Sequence, residues 1–198
     1  MLVIGLTGGI ASGKSTAARF LSERGASVID ADRLGHRVYE PGSPGFAAVV
    51  REFGDDVVGT DGAIDRGALG GKVFGRPERL RRLTDIVWPE IRALAQREIA
   101  ELAERDPEGV AVLEAAVLLE AGWEDLADEI WVVLVETETA IARLADRNSL
   151  TREQALARIE SQLGNDEHRE LADVAIENSG TLDELHARLE REWRRLDG

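Results

Sequence analysis

The chain has 198 residues with 38 acids against 24 bases, a formal charge of −14. That balance argues against a broad nucleic-acid or anionic-membrane surface, because both depend on basic patches. With no cysteine present, disulfides, thiolate metal sites and a cysteine nucleophile are excluded.

The first element is LVIGL at 2–6, nearly continuous in apolar residues, as a parallel strand covered on both faces should be. It has no basic leader and runs straight into glycines, so MLVIGLTGG reads as a strand and not as a signal peptide. No later run approaches the roughly 18 apolar residues of a membrane span, and a reducing cytoplasm is the expected setting.

Next comes GGIASGKST, residues 8–16, which satisfies G-x-x-x-x-G-K-[ST] with Gly8, Gly13, Lys14 and Ser15. A strand before it and a helical run after it give the context the motif needs. Gly8, Gly9 and Gly13 are expected to open backbone angles that turn successive N–H groups of Ile10, Ala11, Ser12 and their neighbours onto a phosphate. The helix beginning near Thr16 adds its positive end. Lys14 supplies a cation for β- and γ-phosphates, and the Ser15 hydroxyl is a ligand for Mg²⁺. The chain holds 22 arginines but only two lysines, Lys14 and Lys72, and one of them stands where the motif requires it. The loop predicts ATP-type nucleotide binding without naming the acceptor.

The helix over 15–24 is expected to stop at Gly25. A second strand, ASVID at 26–30, then delivers Asp30 and Asp32 to the carboxyl edge of the sheet, where ligands of such sheets bind. A carboxylate there can accept a proton from an attacking hydroxyl or hold a metal. Capping the following helix is an equally physical use for one of the pair. Residues 31–109 read as mostly helical, and Pro89 is expected to split 77–105 into two helices. The third strand, 110–115, carries Glu114, with Glu120 six residues on. Either suits a metal-organising acid, or a plain loop acid.

After a fourth strand at 130–136 comes ETETAIARLADRNSLTREQALARIESQ, residues 136–162. Arg143 and Arg147 share a helix face, and Arg152 and Arg158 continue the basic series. Such a helical hairpin can close over a phosphate site and expel water; interleaved glutamates also suit a solvated hairpin. Capping-box spacings at Thr151–Gln154 and Thr181–Glu184 open helices, the second after a last strand at 174–178. Strands alternating with helices predict an α/β P-loop NTPase fold, one domain over 1–198, with a five-stranded parallel sheet and helices on both faces.

In order, LTGGIASGKST, VIDAD with EPGSPG, FGDDVVGTDGAIDRGALGGKVFG, LTDIVWPEI, VLEAAVLLEAGW, the hairpin and VAIENSG resemble the dephospho-CoA kinases. IVWPEI and EAAVLLEAGW are more similar to the kinase domain of bifunctional CoA synthases than to typical bacterial members. The resemblance implies a helical acceptor region over about 60–109 and a lid over about 137–165. It implies transfer of the ATP γ-phosphate to the ribose 3′-hydroxyl of dephospho-CoA with Mg²⁺, and no obligate protein, nucleic-acid or membrane partner. It makes Asp32 the general base, puts Arg143 and Arg147 near the phosphates and Asn178 near adenine. Asp65, Arg66 and Trp88 fall in the acceptor region, and Glu114 joins the substrate site. Many bacterial members have His-Pro where this chain has Trp88-Pro89, and Asp-x-Pro where it has Glu114, Ala115 and Ala116. Another P-loop nucleoside or nucleotide kinase, or a binding module without turnover, is the alternative.

Overall fold

Each apolar run becomes a strand in the computed structural model, which describes residues 1–196. Strands β1 (Leu2–Thr7), β2 (Ser27–Asp30), β3 (Val110–Glu114), β4 (Glu129–Leu134) and β5 (Val174–Glu177) form one sheet in the order β2-β3-β1-β4-β5. The registered pairs β1–β3, β1–β4 and β4–β5 are parallel. Strand β1 is central and buried from Val3 to Thr7. Its two neighbours both come later in the chain and lie on opposite sides. The strand order therefore reverses at β1, and a crevice opens beyond its carboxyl end.

The helices are α1 (Lys14–Glu23), α2 (Ala31–Val38), α3 (Pro44–Phe53), α4 (Arg66–Val73), α5 (Pro77–Arg105), α6 (Thr137–Asn148), α7 (Arg152–Ile159), α8 (Asn165–Glu170) and α9 (Leu182–Leu196). The chain divides into two compact units, one comprising Met1–Ile29 and everything from Ile99 onward, the other Asp30–Glu98.

In the first unit, α1 and α9 cover one sheet face. Ile4, Leu6, Val112, Trp131, Val133 and Ile176 point from alternate strand positions into Ala17, Phe20 and Leu21 of α1 and Leu185 and Leu189 of α9. Trp131 is fully buried, and its indole N–H finds Glu129 Oε2 at 2.9 Å, which avoids the cost of an unpaired buried donor. Helix α1 ends as expected: Gly25 adopts φ 103°, its N–H reaches the Ser22 carbonyl, and the Ala26 N–H reaches the Leu21 carbonyl. That pair of bonds is a Schellman cap.

In the second unit, α2 buries Ala31, Leu34 and Val38, a helical stripe. The expected break at Pro89 does not occur. Helix α5 runs unbroken over 29 residues with the proline inside it. A mid-helix proline costs about 3 kcal/mol through a lost hydrogen bond and a ring clash. Val87, Ile91 and Ala95 are buried on both sides of it at four-residue spacing. The apolar burial of those side chains, roughly 1.5–3 kcal/mol for each of the larger two, outweighs that penalty.

Candidate active site

The loop between β1 and α1 is a cradle built from three devices. Gly8 takes φ 140° and Gly13 φ 101°. A Cβ on Gly8 would lie 2.2 Å from the Val133 carbonyl, and one on Gly13 would lie 2.3 Å from Asn178 Nδ2. Gly9 differs from the expectation: it is not in the left-handed region, and a Cβ there meets only Gln162 Oε1 at 3.9 Å. The remaining turn falls on Ala11, at φ 60°, a conformation costing about 1 kcal/mol that only a small side chain tolerates cheaply. The Lys14 ammonium folds over the loop and donates to the Gly8 carbonyl at 2.5 Å and the Gly9 carbonyl at 3.0 Å.

The second device is a clamp from behind. Asn178, only 6% exposed, donates its amide to the Ser12 carbonyl at 2.6 Å. Arg143 donates to the carbonyls of Ala11 (3.0 Å) and Asn178 (2.8 Å). Burial lowers the Arg143 pKa from its ordinary value, and the group remains cationic. The carbonyls of Gly8, Gly9, Ala11 and Ser12 are therefore taken by side-chain N–H donors, which favours an anion over a cation within the loop. Arg143 holds the cradle, a more intimate placement than a lid cation approaching from outside.

The third device is an oxygen pair. Ser15 donates its hydroxyl to Glu114 Oε1 at 2.7 Å, because the register sets Glu114 beside Leu6 at the end of β3. Of the two acids that follow this strand, Glu114 is the one that reaches the loop. Among the described residues no group of three or more His, Cys, Asp or Glu side chains forms a metal cluster. Two hard oxygen donors beside a phosphate cradle fit Mg²⁺, which takes few protein ligands and completes its shell with phosphate and water.

The α6–α7 hairpin joins this site through Ile141, Leu144 and Ala155, which pack with Ile10 and Ala11 of the loop. Ser149 makes the turn at φ 53°, and Thr151 and Gln154 form the expected capping box. Arg152 is committed to a two-pronged ion pair with Glu138 at 2.5 and 2.6 Å. Arg143, Arg147 and Asn178 line one cavity of about 490 Å³ with Ala11, Gly13 and Thr16. Sequence reasoning passes over Gln162, whose Oε1 accepts the Ile10 N–H at 2.7 Å. No local spacing marks it, since the contact spans 152 residues of sequence.

In the second unit the two aspartates separate. Asp30 caps α2, accepting the Arg33 N–H at 3.1 Å. Asp32, exposed in the first turn, lines a cavity of about 520 Å³ with Arg66. Asp65 caps α4, accepting from Gly67 at 2.8 Å and Ala68 at 3.0 Å. Trp88 is half-buried and is not part of that cavity's lining.

A strand–loop–helix cradle at the switch point of a parallel sheet, with an arginine-bearing helical hairpin packed on it, defines a P-loop nucleotide-binding protein of the kinase type. The dephospho-CoA kinase family model matches residues 2–184, and the chain belongs to that family. It is 48% identical over 198 residues to a dephospho-CoA kinase of Symbiobacterium thermophilum, covering all of this chain and 82% of that one. A dephospho-CoA kinase of Geobacter sulfurreducens is 45% identical over 193 residues, with 98% of each covered. A solved protein of Thermus thermophilus, 34% identical, superposes with a TM-score of 0.80 over 100% of this chain and 98% of that one.

Proposed function

We propose that the chain transfers the γ-phosphate of ATP to the ribose 3′-hydroxyl of dephospho-CoA, giving CoA and ADP in the last step of coenzyme A biosynthesis. The observation that carries this reading is a family match over 2–184 that includes the P-loop, the hairpin and the unit holding Asp32.

In this mechanism N–H groups of the loop and the start of α1 bind the β- and γ-phosphates while Gln162 keeps the Ile10 N–H, and Lys14 swings from its loop carbonyls to the transferring group. Asn178 and Arg143 keep the loop from relaxing when charge builds up, so the site is preorganised. Ser15 and Glu114 would hold Mg²⁺, which supplies charge neutralisation on the phosphate oxygens. Asp32 orients the 3′-hydroxyl and accepts its proton as the oxygen attacks in line. Arg147 lies on the same cavity as Asn178 and borders the nucleotide. Residues 137–165 act as a lid that excludes water until the acceptor is present. Trp88 packs against part of the acceptor, at the position where the resemblance gives many bacterial members histidine. The proposal extends to a cytoplasmic location and to no nucleic-acid, membrane or obligate protein partner.

The test is ADP formation from ATP with dephospho-CoA, nucleosides or nucleoside monophosphates offered in turn. Turnover with dephospho-CoA and a product identified as CoA is expected. Turnover with monophosphates alone would make the chain a different kinase. Tight binding of ATP and dephospho-CoA without CoA formation would make it a binding module.

A further inference from the structure

The phosphate loop contains a turn that has to be held in place. The Ser12 N–H donates to the Gly9 carbonyl at 3.3 Å, closing a turn over Gly9, Ile10, Ala11 and Ser12. Its third residue, Ala11, takes φ 60°. Positive φ at that place marks a turn type that ordinarily carries glycine. The commoner type differs from it in which way the peptide between the second and third residues faces. If Ala11 relaxed to negative φ, its N–H and the Ile10 carbonyl would exchange sides. An alanine keeps the rarer geometry only where its surroundings over-determine it.

Two restraints come from the α6–α7 hairpin and the turn that follows it. On one flank Arg143 of α6 donates to the Ala11 carbonyl at 3.0 Å. On the other, Gln162 Oε1 accepts the part-buried Ile10 N–H at 2.7 Å. The amide oxygen must face that N–H, because the amide nitrogen of glutamine only donates. Gln162 is itself fixed along the chain. Its N–H donates to the Ile159 carbonyl at the end of α7, at 3.2 Å. Two residues on, the Gly164 N–H meets Glu167 Oε2 at 2.9 Å. The Gly164 carbonyl accepts from the N–H and, at 3.0 Å, the Nδ1 of the buried His168. Asn165 Nδ2 then donates to the Val135 carbonyl just past β4, at 2.8 Å. The glutamine therefore reaches the loop from a braced segment.

We propose that Gln162 is a positioning residue for phosphoryl transfer. By holding the Ile10 N–H it keeps Ala11 at positive φ, so that the Ala11 N–H, and not the Ile10 carbonyl, faces the transferring phosphate. This rests on the reading of the chain as an ATP-dependent kinase. A carbonyl oxygen turned toward the phosphate opposes the charge that builds up there, whereas a fixed N–H stabilises it. Gln162 touches neither nucleotide nor acceptor in this scheme and acts through the loop alone. The hairpin segment thereby gains a second duty, because it sets the shape of the cradle it covers.

Gln162→Met keeps the length of the side chain and removes its strong acceptor. It is expected to lower kcat about tenfold, the scale of one lost bond to a buried donor. The KM for dephospho-CoA should stay within about twofold. The Ile10 amide should exchange faster with deuterium, a readout independent of turnover. Rescue separates positioning from mere support of the fold. Glycine takes positive φ without penalty, so in an Ala11→Gly background the further change Gln162→Met should lower kcat by less than about threefold. A glutamine that only supported the fold would cost the same factor in both backgrounds. The inference is overturned by equal factors in the two backgrounds, by an undiminished kcat in Gln162→Met, or by an Ile10 amide that exchanges no faster. Should Gln162→Met not fold, Gln162→Asn, which keeps the amide but shortens its reach, carries the same cycle. Should the wild type form no CoA, the kinase reading fails and calorimetry with ATP takes the place of kcat. ATP affinity lost in Gln162→Met and restored by Ala11→Gly sustains the clamp, and equal loss in both backgrounds, or none, refutes it.

Discussion

Asn178 shows how much one side chain contributes to the cradle. Its amide N–H is bonded to the Ser12 carbonyl, its own carbonyl receives Arg143, and the Gly13 backbone passes so close that a methyl would clash. Truncation to alanine strips the buried Ser12 carbonyl of its short bond, at a cost of about 1–3 kcal/mol. Asn178→Ala should therefore lower the melting temperature and raise the KM for ATP well above any change in the KM for dephospho-CoA. An unaltered ATP KM would mean that the loop holds its shape without the clamp. Single residues were partly legible in the sequence. Lys14 and Ser15 follow from a motif whose spacing is itself the mechanism. The Ser15–Glu114 bond depends on strand register, and the division of labour between Asp30 and Asp32 depends on where α2 begins. Neither is written in local sequence.

At the scale of elements, α5 is the instructive case. Pro89 carries a strong local signal for a break, yet Val87, Ile91 and Ala95 bury a stripe on both sides of it, and tertiary packing overrides the local preference. Pro89→Ala should then raise the denaturation midpoint by an amount corresponding to at most about 3 kcal/mol. A lower midpoint would show that the ring itself fills a packing space. Elements marked by chemistry specific to their ends were legible. The Thr151 and Thr181 capping boxes and the Gly25 cap form as their residues require. Helix α9 is fastened to β4 by Arg195, which grips Glu129 at 2.9 and 2.5 Å. Arg195 first, with the Trp131 N–H adding, holds the Glu129 carboxyl below its usual 4.5. A depressed carboxyl contributes stability above pH 4.5 that is lost as pH falls through its folded value. The melting temperature of Glu129→Gln should therefore lag the wild type near neutral pH and converge with it in acid. A gap that persists at low pH would assign the effect to packing.

The whole molecule combines a steeply acidic surface with a site that must hold polyphosphates. A formal charge of −14 repels anions at long range, although salt screens this beyond about 8–10 Å. The cations that matter are accordingly local and held: Lys14 on the loop, Arg143 behind it, Arg66 between His36 and Tyr39. The α/β architecture was readable because the strand runs are short, branched and separated by helical periods. From periodicity the long stretch after β2 was readable only as helical, and its acceptor role came from the resemblance alone. Its cavity is lined by Gly35, Gly70 and the exposed Phe74, a concavity that helical periodicity does not indicate. We propose that Asp32 serves phosphoryl transfer to a 3′-hydroxyl on this scaffold. A coupled assay of CoA formation on wild type and Asp32→Asn, paired with ATP titration, tests it most directly. CoA is expected from the wild type, and for the variant a kcat lower by about 100-fold or more with nearly unchanged ATP affinity. An undiminished kcat in Asp32→Asn would contradict it.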